Sequence, residues 1–85
     1  MYEIQFTPRG SRELSRLPKE IQNRIVKKVR ENANVPNPLV RAAPVVDLPP
    51  ATHRFRIGKY RVSFYIATRT IFVERVELRG QAYRR

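Results

Sequence analysis

His53-Arg54-Phe55-Arg56-Ile57-Gly58-Lys59-Tyr60-Arg61-Val62-Ser63-Phe64-Tyr65-Ile66-Ala67 carries two alternating runs on either side of a glycine. Phe55 and Ile57 alternate with Arg54 and Arg56, and Tyr60, Val62, Phe64 and Ile66 alternate with Arg61, Ser63, Tyr65 and Ala67. Alternation of this period belongs to strands with one buried face. Gly58-Lys59 between the runs predicts a tight hairpin turn. Side chains of a strand point to opposite faces in turn, so burying the apolar set sends Arg54, Arg56 and Arg61 together to the open face.

Toward the C-terminus, Ala67-Thr68-Arg69 predicts a second turn into the run Thr70-Ile71-Phe72-Val73-Glu74-Arg75-Val76-Glu77-Leu78. This run is apolar on both parities at its start, which predicts a central strand. If Phe72, Val76 and Leu78 point inward, Arg79 joins the three arginines. That orientation also turns Glu74 toward the core, which a bulge or an ion pair must relieve.

Toward the N-terminus, residues 33–52 hold five of the seven prolines and show no periodicity. They predict a long, stiffened connection, with a short extended piece around Val45-Val46. Leu39, Val40, Val45, Val46 and Leu48 are available to pin it. Before it, Ile21, Ile25, Val26 and Val29 form one stripe of a helix opened by Pro18. Leu14 and Leu17 edge a shorter helix, with Thr7 as N-cap and Pro8 in its first turn. Tyr2-Glu3-Ile4-Gln5-Phe6-Thr7 alternates as a strand. The prediction is therefore an α+β domain over 1–85: an N-terminal strand, a helical hairpin, then a three-stranded antiparallel meander. The helices pack on one face of a mostly antiparallel four-stranded sheet.

Composition narrows the chemistry. The chain has 85 residues, no cysteine and one histidine, which rules out disulfides, thiolate metal sites and a cysteine nucleophile. Seven scattered acids and His53 offer no evident cage for a metal. No apolar run approaches the roughly 18 residues of a membrane span. Met1-Tyr2-Glu3-Ile4 lacks the charged-then-apolar order of a signal peptide, so a cytoplasmic protein is expected.

Charge is the strongest signal. Lys and Arg number 18, for a formal net charge of +11, and 14 of them are arginine. Residues 54–85 carry nine bases against two acids, whereas 34–53 are neutral. A generally basic, solvated surface is the bland explanation. An arginine-lined sheet face with Tyr65 and Tyr83 nearby suits single-stranded nucleic acid instead, because guanidinium grips phosphate and tyrosine stacks on bases.

Arg54-Phe55-Arg56-Ile57-Gly58-Lys59-Tyr60-Arg61-Val62 resembles the "YR.R.GdYRV.Y" stretch of the RelE/ParE toxin superfamily. Leu78-Arg79-Gly80-Gln81-Ala82-Tyr83-Arg84 is similar to the "RG.AYK" ending of archaeal-type RelE toxins. Element order and length fit as well, so the resemblance covers nearly the whole chain. It implies the toxin of a type II toxin–antitoxin system, a ribosome-dependent mRNA endoribonuclease that needs no cofactor and no metal. In such enzymes the RNA 2′-hydroxyl attacks its own phosphodiester. The protein supplies positive charge, in-line positioning and proton transfer.

By the same resemblance, Arg61 and Arg79 stabilise the scissile phosphate and Tyr83 stacks on a base or moves a proton. Arg54 and Arg56 stand where bacterial members often have lysine. Arginine stays charged, so these two are read as electrostatic stabilisers. Tyr83 and His53 are then left as candidate bases; His53 reads equally as a plain strand-entry residue. Lys59, Tyr65, Lys27 and Lys28 are further candidates for RNA contact, although Lys27 and Lys28 also read as a solvated helix face.

The implied partners are mRNA in the ribosomal A site, ribosomal RNA and a separately encoded acidic antitoxin. ParE-type members, which inhibit DNA gyrase without nuclease activity, share the central motif. A basic RNA-binding relative with weakened catalysis is a third possibility. Retention of Arg79 and Tyr83 favours the nuclease.

Overall fold

The structure, a computed structural model, describes residues 1–78. Its elements in order are β1 (Glu3–Phe6), α1 (Pro8–Ser15), α2 (Lys19–Ala33), a 3-10 turn (Pro38–Arg41), β2 (Ala43–Pro44), β3 (His53–Ile57), β4 (Tyr60–Ala67) and β5 (Thr70–Leu78). The strands form one sheet in the order β1-β5-β4-β3-β2, with β1 parallel to β5 and the other pairs antiparallel. The α+β order is as the sequence predicts, with five strands in place of four.

The added strand is β2, in the proline-rich segment. Its pairing falls at Ala43–Pro44, just before the expected Val45-Val46. Val45 instead donates its N–H to the Thr52 carbonyl (2.9 Å), closing the loop on itself. Prolines lack an N–H for a ladder, so only a two-residue edge strand forms here. Asn37 caps the preceding 3-10 turn, its Oδ1 accepting from Leu39 N–H (3.2 Å).

The helices begin where the caps dictate. Thr7 Oγ1 accepts from Gly10 N–H (3.1 Å), and Pro8 fills a position whose N–H would otherwise be orphaned. Pro18 opens α2, whose Ile25, Val29 and Ala33 are buried against the sheet. Opposite them lie Phe55, Ile57, Val62, Phe64, Ile71, Val73 and Val76. The Phe55 and Phe64 rings stack at 4.3 Å between centroids. Each such side chain contributes about 1.5–3 kcal/mol by leaving water, and together they anchor the core.

A bulge in β5 resolves the problem of Glu74. Phe64 pairs with Val73 while Ser63 pairs with Arg75, so Glu74 is the extra residue between them. Inward parity therefore switches at this point. Before the bulge Ile71 and Val73 face the core, and Phe72 faces outward, which corrects the expected inward Phe72. After it, Val76 is buried and Arg75 and Glu77 lie on the opposite parity, as expected.

Where β1 ends, α1 takes over the edge of β5. Thr7 N–H donates to the Val73 carbonyl (3.0 Å), and Val76 N–H donates to the Glu13 carboxylate (2.8 Å). The approach at Gly10 is so close that a Cβ there would lie 2.2 Å from the Val73 oxygen. Helix α1 is thus a lateral cover for the sheet, and among the described residues no helix covers the face opposite α2. Among the described residues, no helix is long and apolar enough to cross a membrane.

Candidate nucleic-acid interface

The strand registers place the basic side chains in two adjacent rows on the open face. One row runs Arg54, Ser63, Arg75 across β3, β4 and β5. The next runs Arg56, Arg61, Glu77. A third row holds Tyr65 and Phe72, whose rings stack at 5.1 Å. Strands are about 4.8 Å apart and alternate residues about 6.6 Å along a strand, so four guanidinium groups share a patch about 10 Å across.

The local sequence explains the clustering. Gly58 adopts φ +59°, as a two-residue hairpin turn requires, and so sets Ile57 opposite Tyr60 and Arg56 opposite Arg61. Like charges directly opposite each other on a sheet repel. The face therefore favours anything that brings negative charge to it.

Counter-charge is supplied unevenly. Arg75, only 16% exposed, pairs with Glu77 and with Glu13 of α1 (3.4 Å). Among the described residues, no carboxylate pairs with Arg54 or Arg56, and Arg54 Nε is buried without a hydrogen-bond partner. The β5 side of the patch is compensated from within the chain, whereas the β3 side presents net positive charge.

The remaining sequence candidates divide by location. Lys59 is exposed in the hairpin turn beside Arg56 and Arg61. Tyr65 shares the open face but lies four residues along β4 from Arg61, about 13 Å away. Lys27 and Lys28 are exposed on α2, across the sheet from the arginines, and Lys28 pairs with Glu31 (3.4 Å). His53 is on the core parity, its ring stacked near Phe64 (6.1 Å) and its Nδ1 3.0 Å from the Thr52 hydroxyl. The open face therefore does not receive the His53 imidazole. Arg79 and Tyr83 lie outside the described residues.

Two basic residues on or beside this face escaped the sequence reading. Arg75 has the outward parity, but the run Ile71-Phe72-Val73, apolar on both parities, hides the alternation that would mark it. Arg41 stands in a segment without periodicity, so nothing in the sequence tied it to β3. Among the described residues, no group of three or more His, Cys, Asp or Glu gathers to hold a metal ion. What the arrangement offers chemically is fixed positive charge in fork geometry, able to seat a phosphodiester and to stabilise additional negative charge on it.

No family model matches the chain, and no curated protein does. Solved structures do. A chain of the toxin–antitoxin complex RelBE2 from Mycobacterium tuberculosis is 28% identical, covers 92% of this chain and 98% of its own, and superimposes with a TM-score of 0.77. A chain of the archaeal RelE–RelB complex from Pyrococcus horikoshii is 20% identical, with 94% and 97% covered and a TM-score of 0.71. One from the E. coli RelBE complex is 18% identical, with 92% and 96% covered and a TM-score of 0.70. The two more distant likenesses concern the fold alone.

Proposed function

We infer that this chain is a RelE-type member of the RelE/ParE toxin superfamily, and a type II toxin that cuts messenger RNA on the ribosome. The observation that carries the reading is the convergence of Arg54, Arg56 and Arg61 on the sheet face opposite α2. In the proposed reaction the RNA 2′-hydroxyl oxygen attacks the adjacent phosphorus. The P–O5′ bond then breaks, leaving a 2′,3′-cyclic phosphate and a 5′-hydroxyl. Arg61, with Arg79, offsets the charge that accumulates on the non-bridging oxygens, and Arg54 and Arg56 hold the flanking backbone. Tyr83 stacks on a base or carries the proton. Lys59 and Tyr65 contact RNA at the two ends of the patch, and Lys27 and Lys28 are reserved for ribosomal RNA.

An acidic antitoxin segment fits the same face, since it would bring the carboxylates that Arg54 and Arg56 lack among the described residues. The relatives' description as toxin–antitoxin complexes supports such a partner. Work on ribosomes places the protein in the cytoplasm. The face shows no histidine among the described residues, and this favours one second reading: a ParE-like inhibitor of DNA gyrase that binds without cutting.

The two readings separate in a reconstituted translation system. The nuclease yields mRNA fragments ending in cyclic phosphate and leaves supercoiling by gyrase unchanged. A protein that blocks supercoiling and yields no fragments is the gyrase inhibitor.

A further inference from the structure

The arginine patch continues past β3. Because β2 pairs only with His53 and Arg54, the chain diverges from β3 beyond that point. It leaves a groove of about 400 Å³ lined by Val40, Arg41, Ala42, Ala43, Arg54 and Arg56. Arg54 and Arg56 thus belong to both the open face and this groove, and Arg41 contributes a third guanidinium from the other wall.

Arg41 is held for the purpose. One of its terminal nitrogens donates to Oδ1 of Asn32 (3.3 Å), a side chain on α2 that is 5% exposed. The remaining donors of the guanidinium are left for a ligand. Fixing a long side chain beforehand removes part of the entropy cost of binding. Val40 beside it is 74% exposed, which gives the groove an apolar lip next to its three arginines.

We propose that this groove is a second phosphate subsite for the RNA strand: Arg41, Arg54 and Arg56 grip a backbone phosphate flanking the one at Arg61, and Val40 packs against the attached base or sugar. The inference rests on reading the open face as an RNA surface. The groove orients the strand through the neighbouring nucleotide, so Arg41 is a positioning residue and takes no part in the bond-making step. The length of a cut strand that this protein holds is thereby extended on the β3 side. An acidic peptide offers the same charge, but Val40 beside the three guanidinium groups adds the apolar contact that a nucleotide's base or sugar would take.

The test is binding of a short single-stranded RNA carrying 2′-O-methyl groups, which its own hydroxyl cannot cleave, titrated at several salt concentrations. Arg41→Ala is compared with Arg24→Ala, an equal loss of charge on the exposed side of α2. Arg41→Ala is expected to weaken binding about tenfold, the size of one charge-assisted hydrogen bond, and to reduce the log–log salt slope by about 0.7. Arg24→Ala should change affinity less than twofold. Equal, small losses in both variants would overturn the subsite, as would an Arg41→Ala effect seen only with an acidic peptide. Arg41-dependent RNA binding in a protein that cuts no mRNA would keep the subsite and remove the nuclease reading.

Discussion

Arg56 on β3 and Arg61 on β4 stand directly opposite each other, on the face of the sheet that α2 leaves uncovered. A sheet optimised for stability alone would not place two guanidinium groups there, since opposed like charges cost about 0.2–1 kcal/mol. Arg56→Ala should therefore leave the protein as stable as before, or more stable by about 0.5 kcal/mol. The same change should weaken binding of single-stranded RNA. Urea denaturation and RNA titration on one preparation check both halves, and a clear loss of stability would contradict the account.

The close approach of α1 to β5 makes Gly10 indispensable. Alanine is the better helix former by about 1 kcal/mol, which on propensity alone would make Gly10→Ala stabilising. Its Cβ would instead fall 2.2 Å from the Val73 backbone oxygen, an atom that cannot step aside without moving the sheet. The steric term wins, and a net loss of about 2–3 kcal/mol is expected by denaturant titration.

Glu13 closes the exposed edge of β5. Its carboxylate accepts from Val76 N–H and pairs with Arg75 and, more distantly, with Arg9 (3.5 Å). Glu13→Ala should cost about 2 kcal/mol, because the Val76 N–H loses its acceptor and a mostly buried arginine loses one of its two carboxylates. Glu13→Gln keeps an oxygen acceptor for Val76 and should cost roughly half of that. Equal losses in the two variants would show that the charge, and not the hydrogen bond, is what matters.

The β4–β5 turn carries strain that a substitution can release. Thr68 and Arg69 have φ of +49° and +61°, a region that costs a residue with a Cβ about 1–2 kcal/mol. Thr68 is β-branched and suffers most. Thr68→Gly should raise the melting temperature by about 4 °C or more, and a lowered value would count against the turn geometry.

Much of this architecture was legible in the sequence because local rules agreed with tertiary ones. Thr7-Pro8 and Pro18 marked the helix starts, and the clean alternation from Tyr60 to Ile66 fixed which residues faced the core. Phe72 misled because periodicity assumes an unbroken pleat, and one extra residue at Glu74 resets it. The pairing of Ala43–Pro44 was displaced from the expected position because a two-residue edge strand has no pattern to read. Arg54, Arg56 and Arg61 followed from strand parity. Arg41 did not, since its place beside them depends on the path of a proline-rich segment and on a hydrogen bond to Asn32.

Arg61 and its neighbours are proposed to act on a phosphodiester of ribosome-bound mRNA. Primer extension on a defined mRNA, with and without translating ribosomes, tests it most directly when wild-type protein is compared with Arg61→Ala. Discrete cuts are expected only when ribosomes are present, with a reduction of at least about a hundredfold in an Arg61→Ala variant whose circular dichroism is unchanged. Cuts of equal strength from the Arg61→Ala variant, or no cuts from the wild type on translating ribosomes, would contradict it.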